Sequence, residues 1–164
     1  MPVVSEYKDV DALTLTFVAE FGVPVEQVYR LWEDPRMLER WWGPPAYPAT
    51  FDRHEFAVGG RSDYYMTTPE GEKPAGWWEF TAIDPPRRLE FDYGLSDADR
   101  NPVAGMGAAH GMVTLEPADG KTRMTIVSTF PDVEQFEKMM EMGMQDGMRE
   151  ALGQIDGILA QVRA

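Results

Sequence analysis

Acid–base or nucleophilic chemistry needs titratable side chains at workable spacings, and this sequence is sparing with them. It has 2 His and no Cys among 164 residues, which excludes disulfides, thiolate metal sites and a Cys nucleophile. His54, in DRHEF, and His110, opening HGMVTL, form no HxH, HxxxH or HExxH pair of the kind that grips zinc. No GxSxG elbow presents a serine. Gly59-Gly60 and the set Gly105, Gly107, Gly111 lack the GK[ST] and strand–turn–helix setting of a phosphate loop. Glu79, Glu90, Asp92 and Glu116 fall in strand-like runs. Glu90 and Asp92 alternate with Leu89, Phe91 and Tyr93, which puts these acids on a solvated face and not in a buried pair suited to proton transfer. Arg61 and Asp63 read outward in the same way. No residue is singled out as catalytic, no metal ligand set or cofactor motif is expected, and the sequence favours binding over catalysis.

The chemistry that remains is apolar and soft. Met124, Met139, Met140, Met142, Met144 and Met148 are six of 11 methionines and fall in the C-terminal helical stretch or the strand before it. Methionine is flexible and polarizable and re-packs around irregular shapes, in a core or around a ligand. Facing that stretch, alternation collects Ser62, Tyr64, Met66, Trp78, Phe91 and Tyr93 on one side of the sheet. Tyr64, Tyr93, His110 and Ser128 are the candidate polar groups near such a site. The tandem Trp41-Trp42 runs into Gly43-Pro44-Pro45; neighbouring side chains at a helix end diverge, so one ring is expected in the core and the other partly exposed or over an entrance. The candidate cavity set is therefore Trp41, Trp42, Ser62, Tyr64, Met66, Trp78, Phe91, Tyr93, His110, Ser128, Met140, Met144, Met148 and Leu152.

These residues need elements to position them. LTLTFVAEF over 13–21 alternates cleanly and predicts a half-buried strand. Gly22 breaks it and Pro24 can open a helix that carries Val25, Val28, Tyr29, Leu31 and Trp32 at helical spacing. Pro35 stops that helix, and Asp34 caps a second short one running to about Arg40. Alternating runs at 49–57, 61–68, 76–83, 88–94, 110–116 and 122–130, separated by turn signals such as Ala118-Asp119-Gly120, predict an antiparallel meander. With the first strand this makes seven. From Asp132 onward a stripe of Phe136, Met140, Met144, Met148, Leu152, Ile155, Leu159 and Val162 predicts one long helix, although Gly143, Gly147, Gly153 and Gly157 each weaken it by ~1 kcal/mol relative to Ala. Residues 95–109 read as a long loop, either a lid over an entrance or a mobile connection.

The order strand, two short helices, six strands, long helix resembles the helix-grip fold. The segments VPVEQVYRLWEDPRMLERWWGP (23–44), FAVGGRSDYYMTTPEG (56–71), FTAIDPPRRLEF (80–91), ADGKTRMTIVSTF (118–130) and QDGMREALGQIDGILA (145–160) resemble the START-type (SRPBCC) superfamily, in its branch related to activators of the heat-shock protein 90 ATPase (AHSA-like). The resemblance implies an α+β fold in which a seven-stranded curved antiparallel sheet wraps a long C-terminal helix, with two short helices between strands 1 and 2 and a cavity between sheet and helix. It implies one domain over 1–164, with a core of about 12–162. The chain departs from the pattern where Gly147 is followed by Met148 instead of Trp, and where Ser62 follows Gly-Gly-Arg in place of a bulky residue. Both changes remove volume; either neighbours fill the gap or the cavity is larger.

Composition bounds the partners. With 15 Lys+Arg against 28 Asp+Glu the net charge is −13, a field that repels phosphate backbones and anionic headgroups. No window approaches the ~20 apolar residues of a membrane span, so no nucleic acid and no membrane span are expected, and a cytoplasmic protein is. The expected partner is a small apolar or amphipathic molecule, without catalysis. The alternatives are an enzyme of the same fold (cyclase, dehydratase or hydrolase) on a hydrophobic substrate, using His110 or a tyrosine, and a chaperone-associated stress-response module. A homodimer is compatible with all three.

Overall fold

The structure, a computed structural model, describes residues 3–97, 99, 101–103 and 107–163. Its strands are β1 (Val3–Asp9), β2 (Thr14–Phe21), β3 (Ala49–His54), β4 (Arg61–Met66), β5 (Ala75–Asp84), β6 (Arg88–Ser96), β7 (Ala109–Ala118) and β8 (Lys121–Thr129). They form one antiparallel sheet of 8 strands in the order β1-β2-β8-β7-β6-β5-β4-β3. Two helices, α1 (Val25–Glu33) and α2 (Pro35–Leu38), lie between β2 and β3, and α3 (Val133–Glu141), α4 (Met144–Leu152) and α5 (Ile155–Arg163) close the chain. This is the helix-grip arrangement.

The sheet has eight strands, where the sequence predicts seven. The additional one, β1, pairs with β2 at the edge of the sheet. Its burial follows no two-residue period, so the alternation that marks a strand is missing. What holds it is the backbone ladder to β2 and a bidentate ion pair from Glu6 to the Arg149 guanidinium on α4, whose Nη2 lies 2.7 Å from Oε1.

In β2 the alternation is fully expressed: Leu15, Phe17, Ala19 and Phe21 are buried and the intervening residues half-buried. The amphipathic α1 inserts Val28, Leu31 and Trp32, all at 0% exposure, and packs over β7 and β8. Asp34 accepts a hydrogen bond from Arg36 N at 2.9 Å and Pro35 opens α2, so the second short helix starts where its cap predicts.

The C-terminal stretch is three consecutive helices and not one uninterrupted rod. Asp132 caps α3 through Gln135 N at 2.8 Å. Gly143 then takes a left-handed conformation (φ 86°) that a side-chain-bearing residue adopts only at a cost, and this ends α3 and starts α4. Ala151, Leu152, Ile155, Ile158 and Leu159 bring α4 and α5 into the same core as the inner face of the sheet. The side chain of Val162 lies outside the described residues, as do 98, 100 and 104–106 of the loop expected as a lid.

Candidate functional site

Between the inner face of the sheet and α3–α4 lies a cleft of about 390 Å³. Its floor comes from alternate residues of three strands: Tyr64 and Met66 on β4, Phe91, Tyr93 and Leu95 on β6, Ile126 and Ser128 on β8. Its roof is Met139 of α3, Met142 and Gly143 at the break, and Met144, Gly147, Met148 and Ala151 of α4, with Asp146 and Glu150 at the exposed margin. Trp32, Trp42, Pro44 and Tyr47 close one end.

The floor is rigid because its rings brace one another. Trp78, fully buried beneath it, stacks on Phe91 (4.4 Å, 16°) and meets Trp42 edge-on at 4.7 Å. Phe51 stacks on Tyr64 at 5.0 Å. Tyr64 lies across Gly76, where an added Cβ would stand 2.4 Å from the tyrosine oxygen, so only glycine lets that ring lie flat against β5.

Two residues of this lining hold a polar atom that is fully buried and without a hydrogen-bond partner among the described residues: Trp42 Nε1 and Tyr93 Oη. Each has a polar neighbour that bears on tyrosine acidity, Tyr64 beside Trp42 and Ser128 beside Tyr93, but neither approach has hydrogen-bond geometry. Burial pushes the pKa of both Tyr64 and Tyr93 above that of an ordinary phenol, so at neutral pH both are protonated and able to donate.

Of the residues expected to line a cavity, Trp42, Tyr64, Met66, Phe91, Tyr93, Ser128, Met144 and Met148 face this cleft. Trp41, Ser62, Trp78, His110, Met140 and Leu152 stand outside its lining. Trp41 is wholly buried, with Nε1 donating to Leu31 O at 3.1 Å and its ring edge-on to Trp32. The tandem rings are not divided between core and surface: they meet edge-on at 5.6 Å and both are buried, with Trp42 in the wall of the cleft. Trp78 and Leu152 are core residues at 0% exposure, and Met140 packs half-buried against that core.

Ser62 does point inward, yet the volume freed by its small side chain is filled. The imidazole of His54, brought opposite by the β3–β4 pairing, sits against it with Nδ1 2.7 Å from Ser62 Oγ. Nε2 lies 3.0 Å from Trp32 O. A carbonyl only accepts, so Nε2 carries the hydrogen and Nδ1 accepts from the serine hydroxyl. Burial lowers the His54 pKa, against the opposing effect of the bond to Trp32 O, and the ring stays neutral. His54, the last residue of β3, is thus half-buried, its imidazole plugging the space beside Ser62.

His110 lies on the opposite face of the sheet from the cleft. Its Nδ1 is 2.8 Å from Asp92 and its Nε2 2.8 Å from Glu90. Burial alone would disfavour its charge, but hydrogen bonds to Asp92 and Glu90 outweigh that and raise its pKa. Alternation in HGMVTL already carried this signal, since His110, Met112 and Thr114 share the face opposite Gly111 and Val113. Lining residues missed from the sequence include Met139 and Met142, because the left-handed turn at Gly143 re-aims the helical stripe, and Tyr47, because it sits in a loop with no periodicity. Among the described residues no group of three or more His, Cys, Asp or Glu is placed to hold a metal ion.

With this geometry in view, comparison with known proteins is informative. The model of one family, "Activator of Hsp90 ATPase homolog 1-like protein", matches residues 22–160. The chain belongs to that family. A solution structure of an Arthrobacter aurescens protein is 57% identical over 97% of this chain and 92% of its own, with a TM-score of 0.92. A Mycobacterium smegmatis protein is 42% identical over 96% of this chain and 97% of its own, at TM-score 0.89. A Silicibacter pomeroyi protein named AHSA1 shares the fold at 24% identity and TM-score 0.73, over 90% of this chain and 98% of its own. No curated protein matches the chain. No helix among the described residues is long and apolar enough to cross a membrane.

Proposed function

We propose that this AHSA1-like chain binds a small apolar or amphipathic molecule in the cleft between the sheet and α3–α4. One observation carries the reading: a single concavity of about 390 Å³ combines apolar walls from sheet and helices with the polar side chains of Tyr64, Tyr93 and Ser128. Small-molecule sites are of this kind, mostly apolar with a few convergent polar groups and volumes of roughly 300–1,000 Å³. The four thioethers of Met139, Met142, Met144 and Met148 give the roof the means to re-pack around more than one shape. The lining described contains no histidine, and its buried tyrosines are donors and not bases, which favours binding over acid–base catalysis.

The test is thermal shift and native mass spectrometry of the full chain against a panel of lipids, alkyl amphiphiles and aromatic metabolites. A ligand present at about a hundredfold its Kd raises Tm by roughly 5–10 °C, and a one-to-one adduct accompanies it. If no member of the panel stabilises the chain or forms an adduct, the reading is wrong.

A further inference from the structure

We propose that the cleft selects cationic amphiphiles, with a protonated amine at the mouth and an apolar body inside, over anionic molecules of the same shape. This rests on the ligand-binding reading above and adds the charge class. Asp146 and Glu150 are the charged side chains in the described lining, and both stand exposed at its margin. They are four residues apart on α4 and so share one face of it. Arg149, the cation next to them in sequence, is not in the lining: its Nη2 lies 2.7 Å from Glu6 Oε1 and its Nη1 2.9 Å from Asp146 Oδ1. Glu150 has no ion-pair partner among the described residues.

The interior points the same way. Inside the margin the described lining has no charged side chain; its polar groups there are the indoles of Trp32 and Trp42 and the hydroxyls of Tyr64, Tyr93 and Ser128. A carboxylate taken inside would lose its hydration for neutral donors alone. Left at the mouth it would meet the carboxylate of Glu150 within a chain of net charge −13. An ammonium at the mouth gains chiefly from Glu150, because Asp146 already shares its charge with Arg149.

The experiment uses the full chain and three probes with one tail, dodecyltrimethylammonium and dodecanoate below their micellar concentrations and dodecanol below its solubility limit. Trp32 and Trp42 line the cleft, so their fluorescence reports occupancy, with calorimetry in parallel. At low salt the ammonium is expected to bind about tenfold more tightly than dodecanoate. The gap should narrow at high salt, in E150Q and further in D146N/E150Q, and stay unchanged in E116Q, which removes an exposed acid on the face of the sheet opposite the cleft. All these sites are exposed, and circular dichroism checks that the variants fold. Equal or tighter binding of dodecanoate overturns the proposal. So does a gap that D146N/E150Q leaves intact, which would report only the overall charge. Binding of all three probes without charge preference overturns the selectivity and leaves ligand binding standing; binding of none sinks both.

Discussion

The space between sheet and helices has two ends built on opposite plans. At one end Trp32, Trp41, Trp78, Phe51 and the His54–Ser62 pair fill the volume, with rings at edge-on or tilted angles. Indole N–H groups there are spoken for: Trp41 donates to Leu31 O, and Trp32 to Met124 Sδ at 3.3 Å. Trp78 is the exception, its Nε1 buried and unpartnered. At the other end the walls are thioethers, a glycine break and the polar side chains of Tyr64, Tyr93 and Ser128. Rigid aromatics fix a shape; unbranched methionines leave it adjustable. One fold thus places its stability and its adaptability in adjacent halves of one core.

The largest break in that contrast should come from Trp41→Ala. The residue is fully buried and outside the cleft, so urea denaturation should show a loss of about 3–5 kcal/mol, without a direct effect on whatever the cleft holds. Met148→Ala should cost stability much less, about 1 kcal/mol, because Met148 is half-buried against a space that already exists. It should change probe affinity instead. Equal losses for the two variants would mean the two ends are packed alike.

The histidines sharpen the comparison at smaller scale. The pKa of His54 is lowered in the fold, so the stability it contributes is present above the unfolded value near 6.5 and is lost as pH falls below it. The pKa of His110 is raised, so its contribution is complete below that value and is lost as pH rises through the folded pKa. NMR titration of the two imidazoles should separate them in these directions. Ser62→Ala, which leaves His54 Nδ1 without its donor, should cost about 1 kcal/mol. His110→Gln should act least, since its side chain is 38% exposed and its ion pairs are screened; it should only flatten the alkaline side of the stability profile.

The sequence made legible what alternation and capping govern. The strands from Thr14 onward, the two short helices at Pro24 and Asp34, and the α3 cap at Asp132 all follow from local patterns. β1 escaped because its burial has no period and its anchor, Arg149, lies more than a hundred residues away. The His54 plug escaped for a related reason: Ser62 shows a missing volume, but only the β3–β4 register reveals which side chain arrives to fill it. The helix break was half visible. Gly143 is plain in the sequence, whereas its left-handed backbone is a decision of the folded chain. Within the cleft, period-2 reasoning found the floor residues Tyr64, Phe91 and Tyr93, while the roof depended on where α4 turns after that break.

The tie between β1 and α4 joins the edge of the sheet to the mouth of the cleft. Gln145 and Arg149 both reach Glu6, at 3.1 and 2.7 Å, from one side of α4, while Asp146 and Glu150 border the mouth from the adjacent side. The helix that carries the acids of the mouth is therefore anchored at mid-length to β1, a strand lying ahead of the family-matched region, so part of what holds the roof in place comes from the outermost strand.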